Sequence, residues 1–188
     1  MPILSDGDIC RFVRLELTVQ EIPGLLQAHR QVWGTPDELE ALGSRLRKVN
    51  FPNEASVDFA TSVIRWGRGQ RFVDRFLNNN PAERTAAALR NAACWVDANQ
   101  VSQAVAELQG LRYLGQSFAS KLVRFMFPAN AVILDDVIRS NLGYMDTREG
   151  YDVFLADCTE ILQLARPQHA SLRVCDIEAA IFAKLQGY

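Results

Sequence analysis

The residues whose types and spacing could perform chemistry lie in residues 111–139. Gly115 precedes a stretch in which Ser117 and Lys121 are four residues apart, so a helix would place them on one face. A helix that begins after a glycine presents unpaired backbone N–H groups and a partial positive charge, which suits a phosphate group. The candidate nucleic-acid contacts of this turn and helix are Arg112, Gly115, Gln116 and Arg124.

A carboxylate follows in the second half of this segment. The apolar run 131–134 ends at Asp135, and Pro128 ahead of it excludes continuation of the preceding helix. We expect a short helix from about residue 136 to residue 141, with Gly143 beyond its end. Asp135 is thereby placed at a helix start with a buried segment behind it. The alternative interpretation is that Asp135 acts only as a helix N-cap.

The most basic stretch of the chain is residues 64–76, which contain four arginines and one aspartate. Trp66 and Arg68, next to two glycines, could supply a stacking ring and a phosphate-binding guanidinium. The alternative is that Trp66 packs in the core and the arginines form a solvated helix face.

The composition indicates an ordinary globular protein. The chain has 188 residues, 48% hydrophobic and 22% charged, which excludes disordered and fibrous classes and fits one domain or a tightly joined pair of helical lobes. The net charge of −2 argues mildly against strong nonspecific DNA binding. The chain shows no signal-peptide pattern or membrane-length apolar run, and we expect a cytoplasmic protein. Four dispersed cysteines and two lone histidines predict neither a metal site nor a cofactor.

The remaining pattern is helical. Thr35 and Asn80, each followed by a proline and then an acidic residue three positions on, predict capped helix starts. Residues 1–18 predict an irregular or short-strand segment. Helices are expected at 19–33, where Pro23-Gly24 either lies in the first turn or breaks the helix, and at about 98–108, 146–163 and 174–185.

The order Leu-x-x-x-Gly at 111–115, a helix, a linker and an apolar run ending in aspartate resembles the helix-hairpin-helix DNA glycosylase superfamily. The sequences ASKLVRF at 119–125 and ILDD at 133–136 are similar to its bacterial 8-oxoguanine-DNA-glycosylase-like group. The resemblance implies an all-α, two-lobed helical bundle of that type over residues 1–188, with the hairpin and aspartate segment at 111–139. DNA, a modified nucleotide or RNA is the implied partner.

The resemblance also implies residue roles. Asp135 corresponds to the catalytic aspartate, and Ser117, 18 residues earlier, occupies the position of the Schiff-base lysine. Because a hydroxyl cannot form an imine, we expect monofunctional excision of a damaged or modified purine without lyase activity. Lys121 is then a phosphate or base contact rather than a nucleophile. Arg112 and Tyr113 replace the proline and the first glycine of the family's turn.

A second interpretation remains open. The altered turn and the acidic charge balance favour a catalytically degenerate or specialised module that binds a nucleotide, a nucleic acid or a protein partner. Relatives of the glycosylase-like group occur in bacterial antiviral gene clusters, so such a module could serve antiviral defence. Base release with salt-sensitive DNA binding would favour the enzyme, and a stable protein complex without base release would favour the module.

Overall fold

A computed structural model describes residues 4–12 and 14–188. In these residues the protein has ten α-helices and only three short strands, which confirms the predicted all-α class. The strands are β1 (Leu4–Asp6), β2 (Ile9–Arg11) and β3 (Glu16–Thr18), and 3₁₀ turns span Val19–Glu21 and Gln70–Phe72. The helices are α1 (Ile22–Trp33), α2 (Asp37–Lys48), α3 (Asn53–Trp66), α4 (Val73–Asn79), α5 (Ala82–Asp97), α6 (Val101–Gln109), α7 (Gln116–Met126), α8 (Asp136–Leu142), α9 (Arg148–Ala165) and α10 (Val174–Gln186).

The chain forms two compact units. We call Met1–Thr35 with Val132–Tyr188 the terminal unit, and Pro36–Ala131 the central unit. The turn at Gly115 therefore lies in the central unit and Asp135 in the terminal unit.

The terminal unit combines a small antiparallel sheet with four helices. The strands follow the order β1-β2-β3, and Cys10 pairs with Leu17 in register; both side chains are fully buried. Helix α10 packs against α1, α8 and α9. Pro23 lies in the first turn of α1, where its missing N–H leaves no intrahelical bond unmade, so it does not break the helix.

The central unit is entirely helical: α5, α6 and α7 pack on one another, and α5 and α7 also pack on α3. Its core contains the fully buried side chains of Phe59, Leu89, Leu108 and Leu122. These side chains come from α3, α5, α6 and α7, so each of the four helices contributes to one shared core.

Two predicted capping residues do not cap. Helix α2 begins at Asp37 after Pro36, and α5 begins at Ala82 after Pro81; neither start has a side-chain cap hydrogen bond. A proline occupies the capping position in both helices, and its ring lacks a hydrogen-bonding side chain. The predicted capping roles of Thr35 and Asn80 are therefore wrong, although the helices themselves are present.

Within the described residues, no helix has the length and apolar content needed to cross a bilayer. The same part of the chain contains no group of three or more histidine, cysteine or acidic side chains arranged to hold a metal ion.

Candidate nucleic-acid-binding hairpin and catalytic aspartate

Helices α6 and α7 form a hairpin joined by residues 110–115. Gly115 is the N-cap of α7 and has φ −74° and ψ 175°, an extended conformation that any residue adopts. A methyl group added at Gly115 would meet no atom within 4 Å, so this position leaves open space for a ligand. Within this turn, the exposed Tyr113 instead adopts a left-handed backbone conformation, with φ +68°. The turn therefore carries backbone strain at Tyr113.

Asn80 holds the backbone of this turn. Its buried carboxamide accepts a hydrogen bond from the Arg112 N–H (2.9 Å) and donates to the Arg112 carbonyl (3.0 Å). Arg84 donates to the carbonyl of Gly110 at 2.7 Å. The Arg112 side chain stays exposed while its backbone is fixed. The turn is thus a rigid support for the start of α7.

Ser117 and Lys121 form a hydrogen-bonded pair on α7. The Lys121 Nζ donates to the Ser117 Oγ at 2.9 Å, and the Lys121 side chain is only 6% exposed. Its stem packs beside Gly67, where an added methyl group would lie 3.1 Å from the Lys121 Cδ. The lysine amine is therefore held at Ser117.

The basic stretch meets the hairpin helix. A methyl group at Gly69 would lie 2.6 Å from the Phe118 ring, so the turn after α3 packs directly on α7. Arg68 on this turn is exposed and has φ +60°. Trp66 is half-buried, and its ring lies edge-on to Phe125 with the centroids 4.8 Å apart. Trp66 is therefore a packing residue, whereas Arg68 remains available to solvent beside the hairpin.

Two predicted nucleic-acid contacts are buried. Gln116 is 4% exposed, so its side chain is not available for a nucleic-acid contact. Arg124 is 5% exposed and forms an ion pair with Glu40 of α2 at 2.8 Å. The Arg124 guanidinium thus joins α7 to α2, and the expectation that it faces a phosphate is not met.

Asp135 is the N-cap of α8. Its Oδ1 accepts a hydrogen bond from the Ile138 N–H at 3.1 Å, and the residue is half-buried. The four residues before it, 131–134, are buried. Asp136 is the first residue of α8, with a side chain that is 81% exposed and paired with Arg139. The two adjacent acids therefore differ: the Asp135 carboxylate is held by a backbone hydrogen bond, whereas the Asp136 carboxylate is exposed to solvent.

Helix α9 holds the segment around Asp135 at two points. The buried Tyr151 hydroxyl accepts from the Val132 N–H (3.2 Å) and donates to the Val132 carbonyl (3.0 Å), which satisfies an irregular backbone. Beyond α8, the Tyr144 hydroxyl donates to the Asp157 carboxylate at 2.5 Å. Burial raises the pKa of both groups, Tyr144 by desolvation and by this bond, and Asp157 mainly by desolvation. Sequence analysis did not identify either tyrosine, because neither lies in a recognisable motif.

Replacing Tyr151 by phenylalanine is expected to impair positioning of Asp135. The change leaves the buried N–H and C=O of Val132 without their partner, at a cost of about 1–3 kcal/mol in the free energy of unfolding. If Asp135 acts in catalysis, kcat should fall at temperatures where the variant is folded while KM changes little.

The matched control for this variant is Ile161→Val. Ile161 is also buried and lies in the same helix, more than two turns after Tyr151. The substitution should destabilise by about 1 kcal/mol and leave kcat unchanged. Equal loss of kcat in both variants would assign the effect of Tyr151→Phe to stability alone.

Comparison with family models places the chain among DNA glycosylase-like proteins. It belongs to the family described as "Putative 8-oxoguanine DNA glycosylase OGG-like protein", whose model matches residues 31–182. The match includes the hairpin, the Ser117–Lys121 pair, Asp135 and helix α9. No curated protein and no solved structure gave a significant match.

Proposed function

We propose that this protein is a monofunctional DNA N-glycosylase of the helix-hairpin-helix type that releases a damaged or modified purine. The observation that carries the proposal is the position of Asp135, a half-buried carboxylate at the start of α8. Its Oδ1 accepts a hydrogen bond from the Ile138 N–H, and Tyr151 holds the preceding backbone at Val132. The N-glycosidic bond breaks through a transition state with positive charge on the sugar. A preorganised carboxylate stabilises that charge without reorganising during the reaction.

The bonds change as in hydrolysis. The C1′–N bond breaks and its electron pair leaves with the purine nitrogen, while a water oxygen adds to C1′. One proton of that water passes to the purine nitrogen, so the products are the neutral free base and an unbroken strand with an abasic sugar. The Asp135 oxygen nearest the sugar would stabilise the charge and orient the water. Extrusion of the nucleotide from the stack must precede this step, because C1′ is not accessible in the duplex.

The hairpin supplies the proposed DNA contact. The start of α7 offers backbone N–H groups and the positive end of the helix dipole at the open space beside Gly115. Exposed Arg112 and Arg68 add positive charge on the same unit, whereas the buried Lys121 ammonium is held at Ser117. These contacts position one strand and carry no sequence information.

The proposal is tested with a panel of duplex and single-stranded DNA and RNA oligonucleotides that contain 8-oxoguanine or other modified purines. Chromatography should detect free base from at least one DNA substrate, with strand breakage only after alkali treatment. A panel that gives no free base, combined with a stable complex with a protein partner, would instead support the second candidate. That candidate is a nucleic-acid- or protein-binding module, as in antiviral defence, and the net charge of −2 and the strained Tyr113 favour it.

Replacing Ser117 by lysine is expected to add lyase activity. The new amine would stand beside that of Lys121, and a neighbouring positive charge favours the neutral, nucleophilic form. Borohydride should then trap a covalent adduct with abasic DNA in Ser117→Lys but not in the wild type or in Ser117→Ala. An adduct in the wild type that is lost in Lys121→Ala would show that Lys121 itself is the nucleophile.

A further inference from the structure

A polar pocket lies in the central unit, between the end of α2 and the C-terminal half of α5. Its volume is about 370 Å³, within the range of small-molecule sites. The polar side chains that line it include those of Ser44, Arg47, Lys48, Arg90, Cys94 and Asp97.

Three cations face this pocket without ion-pair partners. In the described part of the chain, Arg47, Lys48 and Arg90 form no salt bridge. With Asp97 as the single acid, the lining carries three positive charges against one negative charge, whereas the whole chain has a net charge of −2. An anionic ligand would therefore find an uncompensated positive field here.

Both arginines are held in place by backbone carbonyls. Arg47 donates to the Met126 carbonyl at 2.9 Å and lies over the Phe127 ring, with its guanidinium carbon 4.1 Å from the ring centroid. Arg90 donates to the Asn50 carbonyl at 3.3 Å. Each bond uses part of a five-donor guanidinium, so further donors remain for a ligand.

The helix dipole does not account for this cluster. Arg47 and Lys48 lie in the last turn of α2, where cations complement the negative helix end. Arg90, however, lies in the middle of α5 and reaches the same pocket from a second helix. Cations from two helices therefore converge on one pocket.

The pocket is separate from the hairpin. Arg84, near the start of α5, contacts the hairpin turn at Gly110, whereas Cys94 lines the pocket ten residues further along the same helix. Ten residues of α-helix span about 15 Å. A phosphate bound in the pocket would therefore not be the one at the start of α7.

We propose that this pocket binds a nucleoside monophosphate. The phosphate would accept charge-assisted hydrogen bonds from Arg47, Lys48 and Arg90, and the Asp97 carboxylate would accept one from a sugar hydroxyl. The volume of about 370 Å³ is large enough for one nucleotide. The phosphate belongs either to a free nucleotide or to the 5′ end of a strand. This site is independent of base excision and does not require Asp135.

Because Cys94 lines the pocket, its rate of alkylation measures whether a ligand occupies the pocket. Cys94 is the exposed cysteine of the chain, whereas Cys10, Cys158 and Cys175 are buried. Adenosine and guanosine 5′-monophosphates should slow alkylation of Cys94 by iodoacetamide in a saturable way, and the corresponding nucleosides should not. A 5′-phosphorylated oligonucleotide that protects at lower concentration than the mononucleotides would identify a strand end as the source; the opposite order would identify a free nucleotide.

The matched variants are Lys48→Gln and Arg45→Gln. Both remove one positive charge from the end of α2, but Lys48 lines the pocket and Arg45 does not. We expect Lys48→Gln to weaken protection on the order of fivefold and Arg45→Gln to have no effect. No protection by any phosphorylated compound, equal protection by nucleosides, or equal weakening in both variants would overturn the proposal.

Discussion

Asp135→Asn is expected to reduce base release by at least about 100-fold without unfolding the protein. Asparagine is nearly isosteric and caps helices as well as aspartate, so the bond from the Ile138 N–H should persist. What is lost is the negative charge that stabilises the sugar cation. The rate of free-base release under single-turnover conditions, together with the thermal unfolding midpoint, measures both effects.

The neighbouring acid provides the control for that experiment. Asp136→Asn removes the same charge one residue later, from a side chain that is exposed and paired with Arg139. Its base release should stay within about twofold of the wild type, since an exposed ion pair contributes little. Similar losses in the two variants would indicate a general effect of charge near α8 and would contradict a specific role for Asp135.

Gly43→Ala should cause a large loss of stability. A methyl group at Gly43 would lie 2.5 Å from the Phe125 carbonyl oxygen and 3.1 Å from the Met126 Cα, both backbone atoms of α7. Helices α2 and α7 would have to separate, which also strains the buried Arg124–Glu40 ion pair. We expect a loss of about 3 kcal/mol in the free energy of unfolding, measured by chemical denaturation.

Gly24→Ala is the matched substitution. Gly24 also lies in a helix, but a methyl group there would meet no atom within 4 Å. Alanine should therefore stabilise the protein by about 0.5–1 kcal/mol, because it reduces the entropy of the unfolded chain. A Gly43→Ala variant as stable as the wild type would contradict the close packing of α2 on α7.

The helices were largely predictable from the sequence, because apolar periodicity and breaking residues act locally. Helix α8 and its end at Gly143, which has φ +81°, follow from an apolar run, an aspartate and a glycine. The capping residues were not predictable in the same way. The local pattern predicted Asn80 as a cap, but Pro81 occupies the capping position and the Asn80 carboxamide binds Arg112, 32 residues away. Such a choice depends on tertiary contacts that local patterns do not contain.

The same limit applies to the candidate site. The stripe that contains Ser117, Lys121 and Arg124 was recognised as one helix face, yet Lys121 and Arg124 are buried because α2 and the turn at Gly67 cover that face. Tyr151 was not identified, since its role depends on a backbone 19 residues earlier. The helix-start position of Asp135 was predictable because an apolar run followed by an aspartate is a local feature.

The most direct test of the central claim is mass spectrometry of the DNA strand after incubation with the wild type and with Asp135→Asn. The account expects the wild type to convert at least one modified-purine strand to an unbroken strand that has lost the base and gained water, and Asp135→Asn to leave it unchanged. Equal conversion by the two proteins, or no conversion of any modified purine by the wild type, would contradict hydrolysis of the N-glycosidic bond at a site that depends on Asp135.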